Sequence, residues 1–378
     1  MTYFLLLYLS IYSIGHCYVF RKIKTAFQPG ITSQTALALF MIIMIMAPIV
    51  IHLTERAGIE IGARFWAYIS FSWMGLLFLF VMLAAIFDVV LVTVRMIHKN
   101  QLKKPVRAQI SPRQLLQLEA ILVFAIYGYG LFEAADIRLE HIELASPKIT
   151  AQTGRIRIVQ VSDIHLGLIV SERRLTRIVA KIQEAAPDIV VSTGDLVDGQ
   201  LSLISREIEL LAAINPPLGK IAITGNHEFY AGAEDALDFT KAAGFKILRH
   251  QGMTIGDINV VGVDDPAGQF FSKVPSQKES DLLARQPEEN FTVLLKHRPD
   301  IDPDSLGHFD LQLSGHTHKG QIFPFNLVTW MFYPQPAGKL TKLKSGFLYL
   351  SRGTGTWGPP IRFLAPPEIT IIDLVPTR

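Results

Sequence analysis

Val161-Ser162-Asp163-Ile164-His165-Leu166-Gly167 places a carboxylate and an imidazole two positions apart, directly after a β-patterned run. In that run, Arg155–Val161 (RIRIVQV), Ile156 and Ile158 fall on one face and Val159 and Val161 on the other, which reads as a strand. Side chains two apart on extended backbone share a face, and a carboxylate beside an imidazole suits a transition metal. A single Asp-x-His pair is equally what a hydrogen-bonded loop supplies, so its meaning is set by the stretches downstream.

Beyond the opening motif, short β-rich runs alternate with helix-patterned ones. Ser171 stands where it can cap a helix running to about Ala185, Asp188–Ser192 reads as a strand, Ser205–Ile214 as a helix and Lys220–Thr224 as a strand. Further strands are expected at Asp257–Val263, Phe291–Leu295, Asp310–Ser314, Gly346–Leu350 and Glu368–Leu374. The alternation argues an α/β domain. Metal-ligating residue types then recur just after the strands: Gly194-Asp195-Leu196-Val197-Asp198, Gly225-Asn226-His227-Glu228, Lys296-His297-Arg298-Pro299 and Gly315-His316-Thr317-His318. Each alone has an ordinary reading as a capping turn, a helix start or a polar hairpin. Together with Asp163 and His165 they fall at the carboxyl ends of five expected strands, the edge at which open α/β sheets hold ligands.

These motifs resemble those of the calcineurin-like metallophosphoesterases, in particular a membrane-associated branch with Ser-Asp-x-His-x-Gly and Ser-Gly-His-Thr-His forms. The resemblance runs from about Ile137 to the C-terminus and includes Arg352-Gly353-Thr354-Gly355 and Pro367-Glu368-Ile369. It implies a four-layer αββα sandwich with two metals at its strand ends. On that resemblance Asp163, His165, Asp195 and His318 would hold one metal, and Asp195, Asn226, His297 and His316 the other, with Asp195 bridging. His227 would meet the scissile group and not a metal, and Asp198 would support its loop. Lys319 departs from the glycine that many relatives of this branch carry there, which adds a cation beside the site.

The chemistry also follows from the residue types. Imidazole, amide and carboxylate ligands without thiolate fit manganese, iron or zinc and do not choose among them. Two such cations can clamp a phosphoryl oxygen and lower the pKa of a shared water, so hydroxide is the expected nucleophile and no serine or cysteine is needed. His227 is then the expected proton donor or charge stabiliser. Arg298, Lys319 and Arg362 are candidate phosphate contacts. The remaining histidines, His16, His52, His98, His141, His250 and His308, lie outside the motifs and are assigned no metal.

The first third of the chain has a different character. With 378 residues, 49% of them apolar, and a mean hydropathy of +0.31, the chain is too hydrophobic for one ordinary soluble domain. Apolar runs at Tyr3–Phe20, Ala36–Leu53, Phe65–Val94 and Leu115–Phe132 compare with the roughly 20 residues a crossing needs. The last is the weakest, with Gln117 and Glu119 near its start. The first has neither a basic leader region nor a cleavage site and is expected to be a retained anchor. Asp88, inside the third run, is expected to snorkel or to pair with a partner. Arg21, Lys22 and Lys24 after the first run, and Arg95, Lys99, Lys103, Lys104, Arg107 and Arg113 after the third, mark those loops as cytoplasmic. With four crossings the catalytic part lies on the non-cytoplasmic face; if Leu115–Phe132 does not cross, the same rule leaves it in the cytoplasm. The single cysteine, Cys17, excludes a disulfide framework within one chain.

The expected architecture is therefore a transmembrane region of about four helices over residues 1–134 and a metallophosphoesterase domain over 135–378. The expected protein is a multi-pass, dinuclear metal-dependent phosphohydrolase whose partners are a lipid bilayer and a phosphorylated substrate, with a lipid-linked phosphate preferred. A net charge of +3, its basic residues gathered between apolar runs, does not point to nucleic acid. The alternative is a membrane sensor or scaffold whose head binds phosphate ligands without turnover. Ile322–Phe325 and Leu327–Tyr333, rich in aromatic residues beside a polar centre, read either as a buried core hairpin or as a lip that meets lipid.

Overall fold

The computed structural model describes residues 2–102, 110–199, 205–271 and 277–377. Lys103, Lys104 and Arg107 of the basic stretch lie outside the described residues. The chain divides into two compact units, Met1–Phe132 with Gly358–Ile361, and Glu133–Trp357 with Arg362–Arg378.

The first unit is helical: α1 (Thr2–Phe27), α2 (Ile31–Arg56), α3 (Glu60–Leu102) and α4 (Pro112–Ala135). Among the described residues, Ile31–Glu55, Ile61–Ile97 and Pro112–Ala135 are long and apolar enough to cross a membrane. The weakest of the expected runs is thus one of the three, and the first, in α1, is not. The charges inside these helices meet one another. Lys22 Nζ lies 3.1 Å from Asp88 and 2.5 Å from Glu119, and the Tyr18 hydroxyl donates to Asp88 at 2.5 Å. Asp88 therefore takes the paired course. His16 is buried, donating from Nδ1 to the Tyr12 carbonyl (2.8 Å) and accepting at Nε2 from Trp73 (2.9 Å).

The second unit holds the strands β1 (Arg138–Ser146), β2 (Ile156–Val161), β3 (Leu166–Gly167), β4 (Ile189–Ser192), β5 (Val197–Asp198), β6 (Lys220–Ala222) and β7 (Lys246–Ile247). They are followed by β8 (Gln251–Ile255), β9 (Ile258–Gly262), β10 (Phe291–Leu295), β11 (Leu311–Ser314), β12 (Leu340–Lys342), β13 (Phe347–Leu350) and β14 (Glu368–Pro376). Its helices are α5 (Glu172–Glu184), α6 (Ser205–Ala212), α7 (Asn226–Ala231), α8 (Ala233–Ala242), α9 (Gly268–Phe271), α10 (Glu279–Leu283) and α11 (Asn326–Phe332).

Two six-stranded sheets form, ordered β1-β14-β2-β4-β6-β7 and β12-β13-β11-β10-β9-β8. The alternation of side chains along each strand divides the core into layers. From β2, Ile158 turns to the inter-sheet core with Ile189, Val191, Val260, Val293 and Leu313, while Val159 and Val161 turn outward to Leu175, Ile178 and Ile182 of α5. On the far side, Val261 and Leu294 pack with Leu282 and Leu283 of α10. Helices, sheet, sheet and helix make a four-layer αββα sandwich, as expected. Each fully buried aliphatic side chain adds about 1.5–3 kcal/mol to the core. Within the first sheet β2, β4 and β6 run parallel, and within the second β9, β10, β11 and β13 do. Parallel pairing puts the carboxyl ends of the strands in each sheet on one edge.

Of the aromatic stretch after the Gly-His-Thr-His motif, Ile322 is buried and bridges to Phe363, whereas Leu327–Phe332 is no core hairpin: it lies in α11, which has no buried residue.

Candidate metal centre

The loops leaving β2, β4, β6, β10 and β11 deliver all the expected ligand residues to one place. Asp195 stands between two sets, its Oδ2 3.2 Å from His297 Nε2 and 3.8 Å from His165 Nε2. On one side His165 Nε2 and His318 Nε2 are 3.0 Å apart, and His318 Nε2 is 3.5 Å from Asp163 Oδ1. On the other, His297 Nε2 lies 3.2 Å from Asn226 Oδ1 and 3.2 Å from His316 Nδ1. Asp163, His165 and His318, and separately Asp195, His297 and His316, each bring ligand atoms within 4.8 Å of one another.

The donor set fits a cation. Ring nitrogens and carboxylate oxygens converge with few protons to share among them, and the buried His165 Nδ1 has no hydrogen-bond partner. His297 donates from Nδ1 to the Thr193 carbonyl at 2.8 Å, which turns its Nε2 into the site. Burial, reinforced by His227, lowers His165 to about 4, and burial with His297 lowers His316 to about 3. Burial and then Arg362 hold His318 well below its ordinary value. Neutral imidazoles of this kind are ligands. Burial would raise Asp195, but His297 and His227 outweigh it and hold the carboxyl well below the usual range. For His297 burial works against the proton, yet Asp195 lifts it to about 10. Burial raises Asp163 to about 6, moderated by His297. The field at Asp195 thus attracts positive charge, which a divalent cation on the same lone pairs would supply.

The backbone is strained where these residues sit. Asp163 (φ 53°), His165 (54°), Asp195 (52°), His316 (75°) and His318 (49°) are all in the left-handed region. Non-glycine residues there cost about 1–3 kcal/mol each and persist only when the surroundings over-determine them. Several contacts do so. Ser162 Oγ donates to Asp163 Oδ2 at 2.5 Å, and the His316 N–H donates to Asp163 Oδ1 at 2.9 Å. The buried Glu228 carboxylate accepts from the N–H groups of Asp195 (3.0 Å), Leu196 (2.7 Å) and Gly225 (2.7 Å), tying two ligand loops together. Close packing requires glycine at two points: a Cβ on Gly225 would lie 2.2 Å from Asp195 Oδ1, and one on Gly315 1.9 Å from Ser162 Oγ.

His227 stands beside the ligands. Its N–H donates to Asp195 Oδ1 (2.8 Å), and its Nδ1 is 2.8 Å from Asp198 Oδ1. Burial opposes a charge on the ring, but Asp195 and Asp198 raise it to about 9. Tyr230 and Trp357 pack edge-on to the imidazole with ring centres 5.4 and 5.8 Å away, and Tyr333 meets His316 edge-on at 5.3 Å.

The three candidate phosphate contacts fare differently. Arg362 is fully buried and donates to the carbonyls of Gly355 (2.7 Å), Arg352 (2.7 Å) and His318 (3.1 Å), with Nη2 3.1 Å from His318 Nδ1. A guanidinium committed to backbone in this way cannot reach a substrate, and the expectation is corrected: Arg362 holds the His318 loop. Arg298 remains half-exposed at the site but forks onto Asp265 (2.8 and 3.0 Å). Lys319 is half-buried, its pKa lowered by burial and then by Arg352. The sequence reading passed over Glu228, Ser162 and, of the aromatic rim, Tyr230 and Trp357. Glu228 had a legible signal, since an acid three positions after Gly225 at a helix start reads as a capping arrangement.

Comparison with known proteins shows the family. The profile of the calcineurin-like phosphoesterases matches residues 156–320. An uncharacterized metallophosphoesterase of Aquifex aeolicus is 35% identical over 249 residues, 65% of this chain and 95% of the relative. The metallophosphoesterase YkuE of Bacillus subtilis is 32% identical over 67% of this chain and 91% of its own. A transmembrane protein with metallophosphoesterase domain from Danio rerio is 29% identical over 81% of this chain and 73% of its own. Among solved structures, the NAD nucleotidase of Haemophilus influenzae aligns with a TM-score of 0.36 at 16% identity, over 53% of this chain and 46% of that one. The chain belongs to the calcineurin-like phosphoesterase family. It is a metal-dependent phosphoester hydrolase, and its long apolar helices support association with a membrane.

Proposed function

We propose that the protein is a multi-pass membrane phosphohydrolase with a dinuclear metal centre, acting on a lipid-linked or membrane-proximal phosphoester or pyrophosphate. Residues 1–134 form its transmembrane region and 135–378 its catalytic domain. Asp163, His165, Asp195 and His318 hold one ion, and Asp195, Asn226, His297 and His316 the other; manganese, iron and zinc all suit these ligands. The reading is carried by one observation: Asp195 Oδ2 lies within reach of both ligand sets, 3.8 Å from His165 Nε2 and 3.2 Å from His297 Nε2.

When bound, the two ions would polarise the phosphoryl oxygens and lower the pKa of a water at the site. His227, held at Nδ1 by Asp198, presents Nε2 to the phosphoryl group and stabilises its charge or protonates the leaving oxygen. Arg298, oriented by Asp265, and Lys319 are the cations left to meet substrate oxygens. The aromatic residues Tyr230, Trp357 and Tyr333 line the approach beside His227 and His316. The basic segments after α1 and α3 support a non-cytoplasmic position for the catalytic domain.

The test uses the purified full chain in detergent. Two equivalents of metal and chelator-sensitive hydrolysis of an aryl phosphate diester or monoester are expected. A single equivalent or less, or metal bound without turnover, would favour the phosphate-binding sensor. A reporter fused after the last residue should read non-cytoplasmic, and a cytoplasmic signal would overturn the orientation.

A further inference from the structure

Helix α11 is unlike the other helices of the catalytic unit. From Gly320 to Gly338 the chain has no Asp, Glu, Lys or Arg. An ordinary surface helix turns its apolar stripe to the core and its charges to water, but here Leu327 (58% exposed), Trp330 (62%), Met331 (74%) and Phe332 (73%) all face outward and nothing in the helix is buried. Exposing contiguous apolar surface of this kind to water is unfavourable, and such patches mark docking sites.

Three observations say what covers it. The same chain carries helices able to cross a membrane, and only Asp136 and Ile137 separate the end of α4 from the start of β1. At no more than about 3.6 Å per residue, that connection leaves little chain between the two units. The uncharged stretch is followed at once by the exposed Lys339, Lys342 and Lys344, a basic border that complements anionic headgroups. Tryptophan and tyrosine, here Trp330 and Tyr333, are also the residues favoured at the membrane–water boundary.

We infer that α11 is an interfacial helix, seated in the headgroup and upper acyl region of the bilayer in which the helical unit is embedded. Tyr333, the residue after the helix, packs on His316. Seating α11 therefore brings the edge of the metal centre to the level of lipid phosphates, and this consequence rests on the function proposed above, whereas the docking itself does not.

The experiment reads position and needs no turnover. In the full chain carrying Cys17→Ser, Met331→Cys is labelled with a small environment-sensitive fluorophore and placed in nanodiscs of phosphatidylcholine and phosphatidylglycerol. Arg177→Cys, on the exposed side of α5, serves as the control. The α11 label is expected to emit to the blue of the control, to lose emission when doxyl groups are carried high on the acyl chains, and to resist aqueous iodide. Quenching by iodide and not by doxyl lipid would overturn the inference. Protection from both quenchers would overturn it too, since α11 would then be covered by protein. Failure of the hydrolysis assay, with lipid quenching retained, would instead remove the proposed function and leave the docking standing.

Discussion

In the helical unit Lys22 lies between Asp88 and Glu119, so that opposite charges meet; at the sheet edges of the catalytic unit, ring nitrogens approach one another within 3.0–3.2 Å between His165 and His318 and between His297 and His316. The difference separates two uses of buried polarity. A lysine already neutralises much of the first group, with a tyrosine hydroxyl completing the contacts of Asp88. The second is left asking for positive charge, and it is built on strained backbone at five of its residues. Strain of that kind is kept where function needs it. Breaking each cluster should therefore have opposite consequences for chemistry.

The largest effect is expected at Asp195. Asp195→Asn removes the anion shared by both ligand sets while preserving shape, and should abolish hydrolysis and lower the bound metal below two equivalents, measured by elemental analysis of the purified chain. Wild-type turnover with two metals retained would sink the assignment. A smaller loss is expected at His227, whose ring comes within 4.8 Å of the ligand atoms of His165 and Asp195 but is held at Nδ1 by Asp198. His227→Ala should keep both metals and lose about 10²–10⁴ in rate, the range for an acid or charge stabiliser. If metal content falls with the rate, His227 is a ligand.

The same contrast explains what could be read from sequence. The ligand positions were legible because residue type and strand-end position are local properties, and parallel pairing then brings separate loops to one edge without further specification. Burial was less legible. Arg362 looks like a phosphate contact by charge, yet its surroundings are backbone carbonyls supplied by loops that only the fold brings together. The stretch Leu327–Tyr333 has the composition of a core segment, and composition does not say whether the apolar surface faces protein or lipid. The Lys22 cluster was hidden for a third reason: its partners are 97 positions apart for Glu119 and belong to different helices, so each charge in isolation only weakens the case for a membrane-crossing run.

The smallest effect on catalysis is expected from that helical cluster, and it sharpens the comparison because stability and chemistry should part company there. Lys22→Met alone leaves Glu119, whose side chain is fully buried, without its counter-ion. Removing one member of a buried pair costs about 3–5 kcal/mol, whereas replacing both members by apolar side chains of similar size is often neutral. The single variant should therefore melt at a clearly lower temperature in detergent, and Lys22→Met with Glu119→Met should recover most of the loss, Asp88 keeping its bond to Tyr18. Hydrolysis of a soluble aryl phosphate, measured below the melting range, should stay at the wild-type rate in both. A double variant that stays unstable would show that the cluster does more than neutralise itself. One that is stable but inactive would mean that the charges between the helices serve the reaction, and the line drawn here between closed and open clusters would fall.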